Sequence, residues 1–135
     1  MSRRVDPHSV LLFVAGLVLI VIGAATLFAP VAFHQANGIM VVADAGLLSE
    51  TRAAGGVLLT AGVFIMVGAF STRFAVAAAA VGATGYLAYA LSRLLGIALD
   101  GVPAGGLVLA AVVELVLGLA CAYSLLRRSR EGARV

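Results

Sequence analysis

The feature that most restricts the fold of this chain is a series of four long apolar segments, separated by short polar breaks. They lie at residues 9–29, 53–70, 74–98 and 103–126. A helix needs about 20 mostly apolar residues to cross the hydrocarbon core of a bilayer, and these segments come close to or exceed that length. The chain has 63% hydrophobic and 11% charged residues. A water-soluble domain could not bury so much apolar surface. The sequence therefore predicts a single integral membrane domain over residues 1–135.

Helices are the secondary structure that we expect in all four segments. In lipid, every backbone N–H and C=O must be bonded within the protein, which only helices and closed barrels achieve. The apolar runs are continuous, whereas barrel strands alternate apolar with polar residues. A cleaved secretory signal is an alternative for the first segment, but its apolar part exceeds a signal core of about 7–15 residues. The predicted fold is an all-α bundle of four transmembrane helices.

The arginines predict how this bundle is oriented. Four crossings place both termini and the turn at Arg73 on the same side. That side collects seven of the chain's nine cationic residues, namely Arg3, Arg4, Arg73, Arg127, Arg128, Arg130 and Arg134. Positive flanks stay in the cytoplasm, so we expect cytoplasmic N and C termini and an outer loop between the first two helices. The basic C-terminal tail is consistent with this rule and with contact between its arginines and lipid headgroups. The alternative is that the tail recruits anionic lipid or nucleic acid.

Two charged residues lie inside apolar segments, and the sequence predicts that they neutralise each other. At about 1.5 Å per residue, Arg93 lies about 9 Å below the outer end of the third helix, and Glu114 about 16 Å from the start of the fourth. An ionised group near the bilayer centre costs on the order of 2.5–3.5 kcal/mol. We expect an ion pair between Arg93 and Glu114, with Arg52 nearby. The alternative is that Arg93 reaches headgroups or Asp100 while Glu114 is protonated.

Two tyrosines share a helical face with Arg93. Tyr86, Tyr89 and Arg93 occupy positions i, i+3 and i+7, which lie along one side of a helix. This face could hydrogen-bond and stack against the polar head of a ligand. The alternative is that the tyrosines are ordinary residues of the aromatic belt at a membrane interface.

The second helix is expected to begin with Ser49 as its N-cap and Glu50 in its first turn. Arg52 does not suit the positive end of a helix dipole, so it is expected to have a partner or to face headgroups. In the preceding loop, residues 30–49, Asn37 and Gly38 indicate a turn, and the apolar run after it is too short to span. We expect a strand-like or interfacial lid there, with a solvated His34.

Small residues at spacings of four or seven are typical of close helix packing in membranes, and they occur here as Gly16 with Gly23, Gly56 with Thr60, and Ala78 with Gly82. A single chain of this size has little room for a substrate path, so a homo-oligomer or a larger membrane complex fits its length. Membrane lipids are the expected partners, and no nucleic acid is expected.

Several chemistries are not supported by the sequence. Cys121 is the only cysteine, which excludes an internal disulfide or dithiol centre. His8 and His34 are expected on opposite sides of the membrane, so they cannot ligate one metal or haem together. There is no phosphate-binding loop motif, and no nucleophile has a recognisable base. No cofactor and no metal are expected.

The polar residues, taken in order, resemble a known family. Glu50 and Arg52 before the Gly55–Gly56 pair, then Arg93, Asp100, Gly101 and Pro103, then Glu114, resemble the signature of domain-of-unknown-function family 4345. These are small bacterial proteins with four predicted membrane helices, and the resemblance covers about residues 30–118. The family usually has a glycine where Ser92 stands here. The resemblance implies that Glu50, Arg52, Arg93, Asp100 and Glu114 form one site, but it implies no activity.

Two classes of function are expected from the sequence, and a membrane enzyme ranks third after them. The first is binding or passage of a small anionic or amphiphilic molecule such as a lipid, with Arg52 and Arg93 as anion contacts and Glu114 as counter-charge or proton acceptor. The second is an accessory subunit that docks onto a larger membrane complex. For either class we expect a multi-pass protein of the inner (plasma) membrane.

Overall fold

The computed structural model describes residues 6–42 and 44–132, and α-helix is the regular secondary structure of this part of the chain. The helices are α1 (Pro7–Phe28), α2 (Pro30–Ala36), α3 (Ala45–Phe70), α4 (Thr72–Asp100) and α5 (Gly105–Gly132). In the described range, α1, α3, α4 and α5 are long and apolar enough to cross a membrane, which confirms the predicted all-α architecture. Three of the arginines that predict the orientation lie outside the described residues, namely Arg3, Arg4 and Arg134.

The first two helices begin with proline, whose fixed φ and missing N–H suit the first helical position. Asp6 caps α1 by accepting a hydrogen bond from the backbone N–H of His8 at 3.2 Å. The α2 helix ends at Ala36, and its C-cap is Asn37, whose side-chain amide donates to the carbonyl of Phe33 at 2.8 Å. Gly38 follows with a φ of 77°. The predicted turn is therefore present. The strand-like form of the lid is wrong, because Pro30 starts a helix and residues 39–42 have no regular structure, whereas an interfacial position of this segment stays a prediction.

The α3 helix begins at Ala45, before both the predicted N-cap at Ser49 and the apolar segment that starts at residue 53. Asp44 is its N-cap and accepts a hydrogen bond from the N–H of Leu47 at 3.0 Å, so the prediction of Ser49 as the cap is wrong. The apolar run marks where the chain becomes hydrophobic, whereas the helix starts where a side chain satisfies its free N–H groups. Arg52 consequently lies beyond the first turn, where the helix dipole has little effect on it.

The other connections are short. Ser71 alone separates α3 from α4, so these two helices form a tight antiparallel pair. Gly101 ends α4 with a φ of 97°, a left-handed conformation that glycine adopts without strain. Pro103 was expected in the first turn of the last helix, but it lies in the connection before α5 begins at Gly105.

The four long helices are arranged as two packed pairs. The α1 helix runs along α3, α5 runs along α4, and contacts between α3 and α4 join the pairs, while α3 and α5 share no close backbone contact in the described part of the chain. We call the end of the bundle that carries residue 6 and the α3–α4 turn the terminal end. The opposite end, which carries residues 29–44 and the α4–α5 turn, is the loop end.

Glycines bring the backbones of α1 and α3 into direct contact. A Cβ added to Gly16 would lie 2.8 Å from the carbonyl oxygen of Gly62, and one added to Gly55 would lie 2.6 Å from the backbone nitrogen of Leu27. Such distances leave no room for a side chain, as expected where small residues let membrane helices approach. Gly56 and Thr60 were expected to let another helix approach closely, but a Cβ at Gly56 meets nothing within 4 Å. The close contact between α1 and α3 therefore involves Gly55 rather than Gly56.

The buried core occupies the terminal half of the bundle. Leu12 and Ala15 of α1, Ile65 of α3, Ala78 of α4 and Cys121 of α5 are fully buried there. Two polar links join the first and last helices at the same end: His8 hydrogen-bonds through Nδ1 to the hydroxyl of Ser124, and Arg128 pairs with Asp6 at 3.1 Å. These contacts hold the two helix pairs together at the terminal end.

Candidate functional site: a cavity beside a buried ion pair

A salt bridge links α4 to α5 within their apolar stretches. The Nε of Arg93 donates to Oε2 of Glu114 at 2.8 Å, and the two side chains are 30% and 10% exposed. Arg93 lies about 10 Å from the end of α4 and Glu114 about 14 Å from the start of α5, at about 1.5 Å per residue. The antiparallel helices thus bring the two groups to similar depths. The contact expected from the sequence is formed, and each charge has an opposite charge beside it.

A cavity of about 490 Å³ lies next to this pair, between the two helix pairs. Apolar side chains supply most of its wall, among them Leu19, Ile22, Leu58 and Val81. Its polar groups come from all five helices, and include Thr26, His34, Glu50, Thr51, Tyr89, Arg93 and Glu114. The volume falls within the range of about 300–1,000 Å³ that small-molecule sites usually have. The cavity therefore combines an apolar lining with a few charged and polar groups.

The predicted tyrosine face contributes to the cavity wall. Tyr86 is 2% exposed, and its hydroxyl donates to the carbonyl of Ala15 on α1 at 2.5 Å. This bond ties the α4–α5 pair to the α1–α3 pair where the core ends and the cavity begins. Tyr89 lies one turn further toward the loop end and is 39% exposed. Tyr86, Tyr89 and Arg93 line the same cavity, as the spacing along the helix predicted.

Arg52 and Asp100 do not join the ion pair. The guanidinium of Arg52 donates through Nη1 to the carbonyl of Leu27 at the end of α1, and Arg52 does not line the cavity. Successive helical residues point about 100° apart, so Thr51 can face the cavity while Arg52 faces α1. Asp100 is exposed and lines a smaller pocket of about 230 Å³ beside the α4–α5 turn. Five charged residues were expected in one site, and three of them line the cavity beside the ion pair, which we call the large cavity: Glu50, Arg93 and Glu114.

Sequence reasoning missed cavity residues on α2 and α3. His34, expected to be solvated, lines the cavity, and its Nδ1 bonds to the carbonyl of Pro30 at 2.7 Å. Phe33 and Thr51 line it as well. The signal that could have found His34 is its spacing of four from Pro30, because proline often starts a helix and residue i+4 lies one turn above it. Within the described residues, no three histidine, cysteine or acidic side chains are grouped so as to hold a metal ion.

Four helices suited to crossing a membrane, an ion pair between two of them and a cavity beside it define a small helical membrane protein with an internal polar site. Residues 8–125 match the model of the family described as "Domain of unknown function (DUF4345)". The match covers most of the chain, so the protein belongs to this family, which confirms the resemblance in its polar residues. No curated protein and no solved structure matches the chain significantly.

Proposed function

We propose that this protein binds or passes a small amphiphilic molecule, such as a lipid, in the cavity beside the ion pair. The observation that carries the proposal is the composition of the cavity: apolar atoms of aliphatic and aromatic side chains form most of its wall, while polar groups from all five helices enter the same space. An apolar tail would contact the aliphatic wall, and a polar head would bond to the charged groups. The volume of about 490 Å³ suits a small molecule of this kind.

The ion pair suits this role because it supplies polar atoms without a net charge. Arg93 and Glu114 compensate each other, which lowers the cost of keeping both groups in an apolar span. An anionic ligand held by two arginines was the other expectation from the sequence. It loses support because Arg52 bonds to the backbone of α1 instead of lining the cavity. The amphiphile is therefore the ligand class that we retain.

A cavity-filling substitution tests the proposal. Gly85 lines the cavity, and a Cβ added there meets nothing within 4 Å, so Gly85→Leu should occupy cavity space without disturbing the helix packing. We expect it to reduce the lipid that copurifies with the protein about ten-fold or more, measured by native mass spectrometry after extraction in mild detergent.

Gly96→Leu is the matched control, because Gly96 lies on the same helix, is equally free of neighbours and does not line the large cavity. It should retain ligand as the unsubstituted protein does. An unsubstituted protein that carries no small molecule, or equal retention by Gly85→Leu and the unsubstituted protein, would contradict the proposal.

We also propose that the protein lies in the inner (plasma) membrane with both termini in the cytoplasm, so that the cavity opens toward the outer half. The distribution of arginines supports this orientation, since four of the six arginines in the described part of the chain, Arg73, Arg127, Arg128 and Arg130, lie toward the terminal end. Met40 at the loop end is 94% exposed, and Ser129 near the terminal end is also exposed. In a Cys121→Ala background, Met40→Cys in intact cells should react with a membrane-impermeant maleimide, and Ser129→Cys only after lysis. The reverse pattern would contradict the orientation.

A role as an accessory subunit is the second candidate, and one observation favours it. Gly56, which is half-buried, and Thr60, which is exposed, form a small-residue surface on α3 that the α1–α3 packing does not use. Such a surface can accept a close helix from another protein. The same native mass spectra separate the two roles: a companion chain at fixed stoichiometry with no bound small molecule supports the accessory role and contradicts ligand binding.

A further inference from the structure

The hydrogen-bonding groups of the cavity point to a particular kind of head group, and this inference rests on the proposed function. Five uncharged polar or imidazole side chains line the cavity, namely Thr26, His34, Thr51, Tyr86 and Tyr89. Three of them have a donor group bonded to a backbone carbonyl, whereas the hydroxyls of Thr26 and Tyr89 form no hydrogen bond within the described residues and can accept or donate. The hydroxyl of Tyr86 donates to Ala15, that of Thr51 donates to Leu47 at 2.8 Å, and Nδ1 of His34 donates to Pro30. Their oxygen lone pairs, and Nε2 of a neutral His34 ring, remain as acceptors.

The charges in the cavity favour a positive ligand. Glu50 and Glu114 line it, but Arg93 is the only cation with a permanent charge among the lining residues of the described chain. Arg93 is already compensated by Glu114 at 2.8 Å. Glu50 forms no ion pair within the described residues, so one carboxylate charge remains without compensation. The cavity is therefore negative overall when His34 is neutral.

Aromatic rings add to this preference. Phe33, Tyr86 and Tyr89 line the cavity together with the two carboxylates. The face of an aromatic ring attracts cations, and an ammonium group carries N–H donors that suit carboxylate and hydroxyl acceptors. We propose that the ligand is an amphiphile with a cationic, N–H-bearing ammonium head, and that Glu50 is its charge partner. An anionic head group would instead bond to the N–H groups of Arg93 that do not donate to Glu114.

Three probes of equal chain length test this assignment: decylammonium, decanol and decanoate, each titrated into the full-length protein in mild detergent. Binding is followed by native mass spectrometry and by the thermal stabilisation of the protein. We expect decylammonium to bind about ten-fold or more tightly than decanoate, with decanol in between. In Glu50→Gln, the preference for the ammonium over the alcohol should fall about ten-fold. Glu50 is exposed, so the substitution should leave the fold intact.

Asp100→Asn is the matched control, because Asp100 is another exposed carboxylate at the loop end that does not line the large cavity. It removes the same charge and should keep the full preference. Tighter binding of decanoate, or an unchanged preference in Glu50→Gln, would overturn the assignment while leaving an amphiphile site in place. Failure of all three probes to bind would overturn the proposed function itself.

Discussion

Replacing Gly55 with alanine is expected to destabilise the protein by about 2 kcal/mol, because the new methyl group has no space. Its Cβ would lie 2.6 Å from the backbone nitrogen of Leu27 and 3.0 Å from the carbonyl oxygen of Gly23. These are backbone atoms, so relief requires α1 and α3 to separate. The measurement is unfolding in mixed micelles, followed with a thiol-reactive dye. The dye reports unfolding because Cys121 is the only cysteine and is fully buried.

Gly56→Ala is the control that separates packing from helix propensity. A Cβ at Gly56 meets nothing within 4 Å, and alanine favours a helix interior over glycine by about 0.5–1 kcal/mol. We expect Gly56→Ala to be neutral or slightly stabilising. Equal effects at the two neighbouring positions would show that the backbones of α1 and α3 are not in contact there.

The second large effect is expected at the ion pair. Glu114→Gln leaves the guanidinium of Arg93 without its counter-charge in an apolar span, and breaking a buried pair in this way costs about 3–5 kcal/mol. The Arg93 side chain is 30% exposed, so part of the cost is relieved by outward movement, and we expect about 2 kcal/mol. The loss should appear as easier unfolding in the same mixed-micelle titration.

A double-mutant cycle assigns that loss to the pair. In an Arg93→Gln background, Glu114→Gln should cost much less than in the unsubstituted protein, because no charge is left unpaired. The difference between the two costs measures the coupling between the side chains. If Glu114→Gln costs the same in both backgrounds, the contact at 2.8 Å contributes nothing to stability.

The sequence was sufficient for features that depend on position along a helix. Segment length and hydropathy located four long helices, and the depths of Arg93 and Glu114 along neighbouring antiparallel helices indicated their contact. The shared face of Tyr86 and Tyr89 followed from a spacing of three residues. These inferences need only the rise and the periodicity of a helix.

Features that depend on the rotation of a helix about its axis, or on local helix caps, were harder to predict from the sequence. Arg52 was grouped with the ion pair because its level along α3 was suitable, but the rotation of α3 turns it toward the carbonyl of Leu27. The start of α3 was misplaced because Asp44, rather than the apolar run, determines where the helix begins. The cavity itself arises from the relative placement of two helix pairs, which no single segment encodes.

The links between His8 and Ser124 and between Asp6 and Arg128 join the first long helix to the last. During synthesis, α1 emerges from the ribosome long before α5 exists. These two bonds can therefore form only after α5 has been made, and a product truncated before this helix would leave Nδ1 of His8 and the Asp6 carboxylate without these partners. Closure of the terminal end of the bundle is thus a late event in the synthesis of the chain.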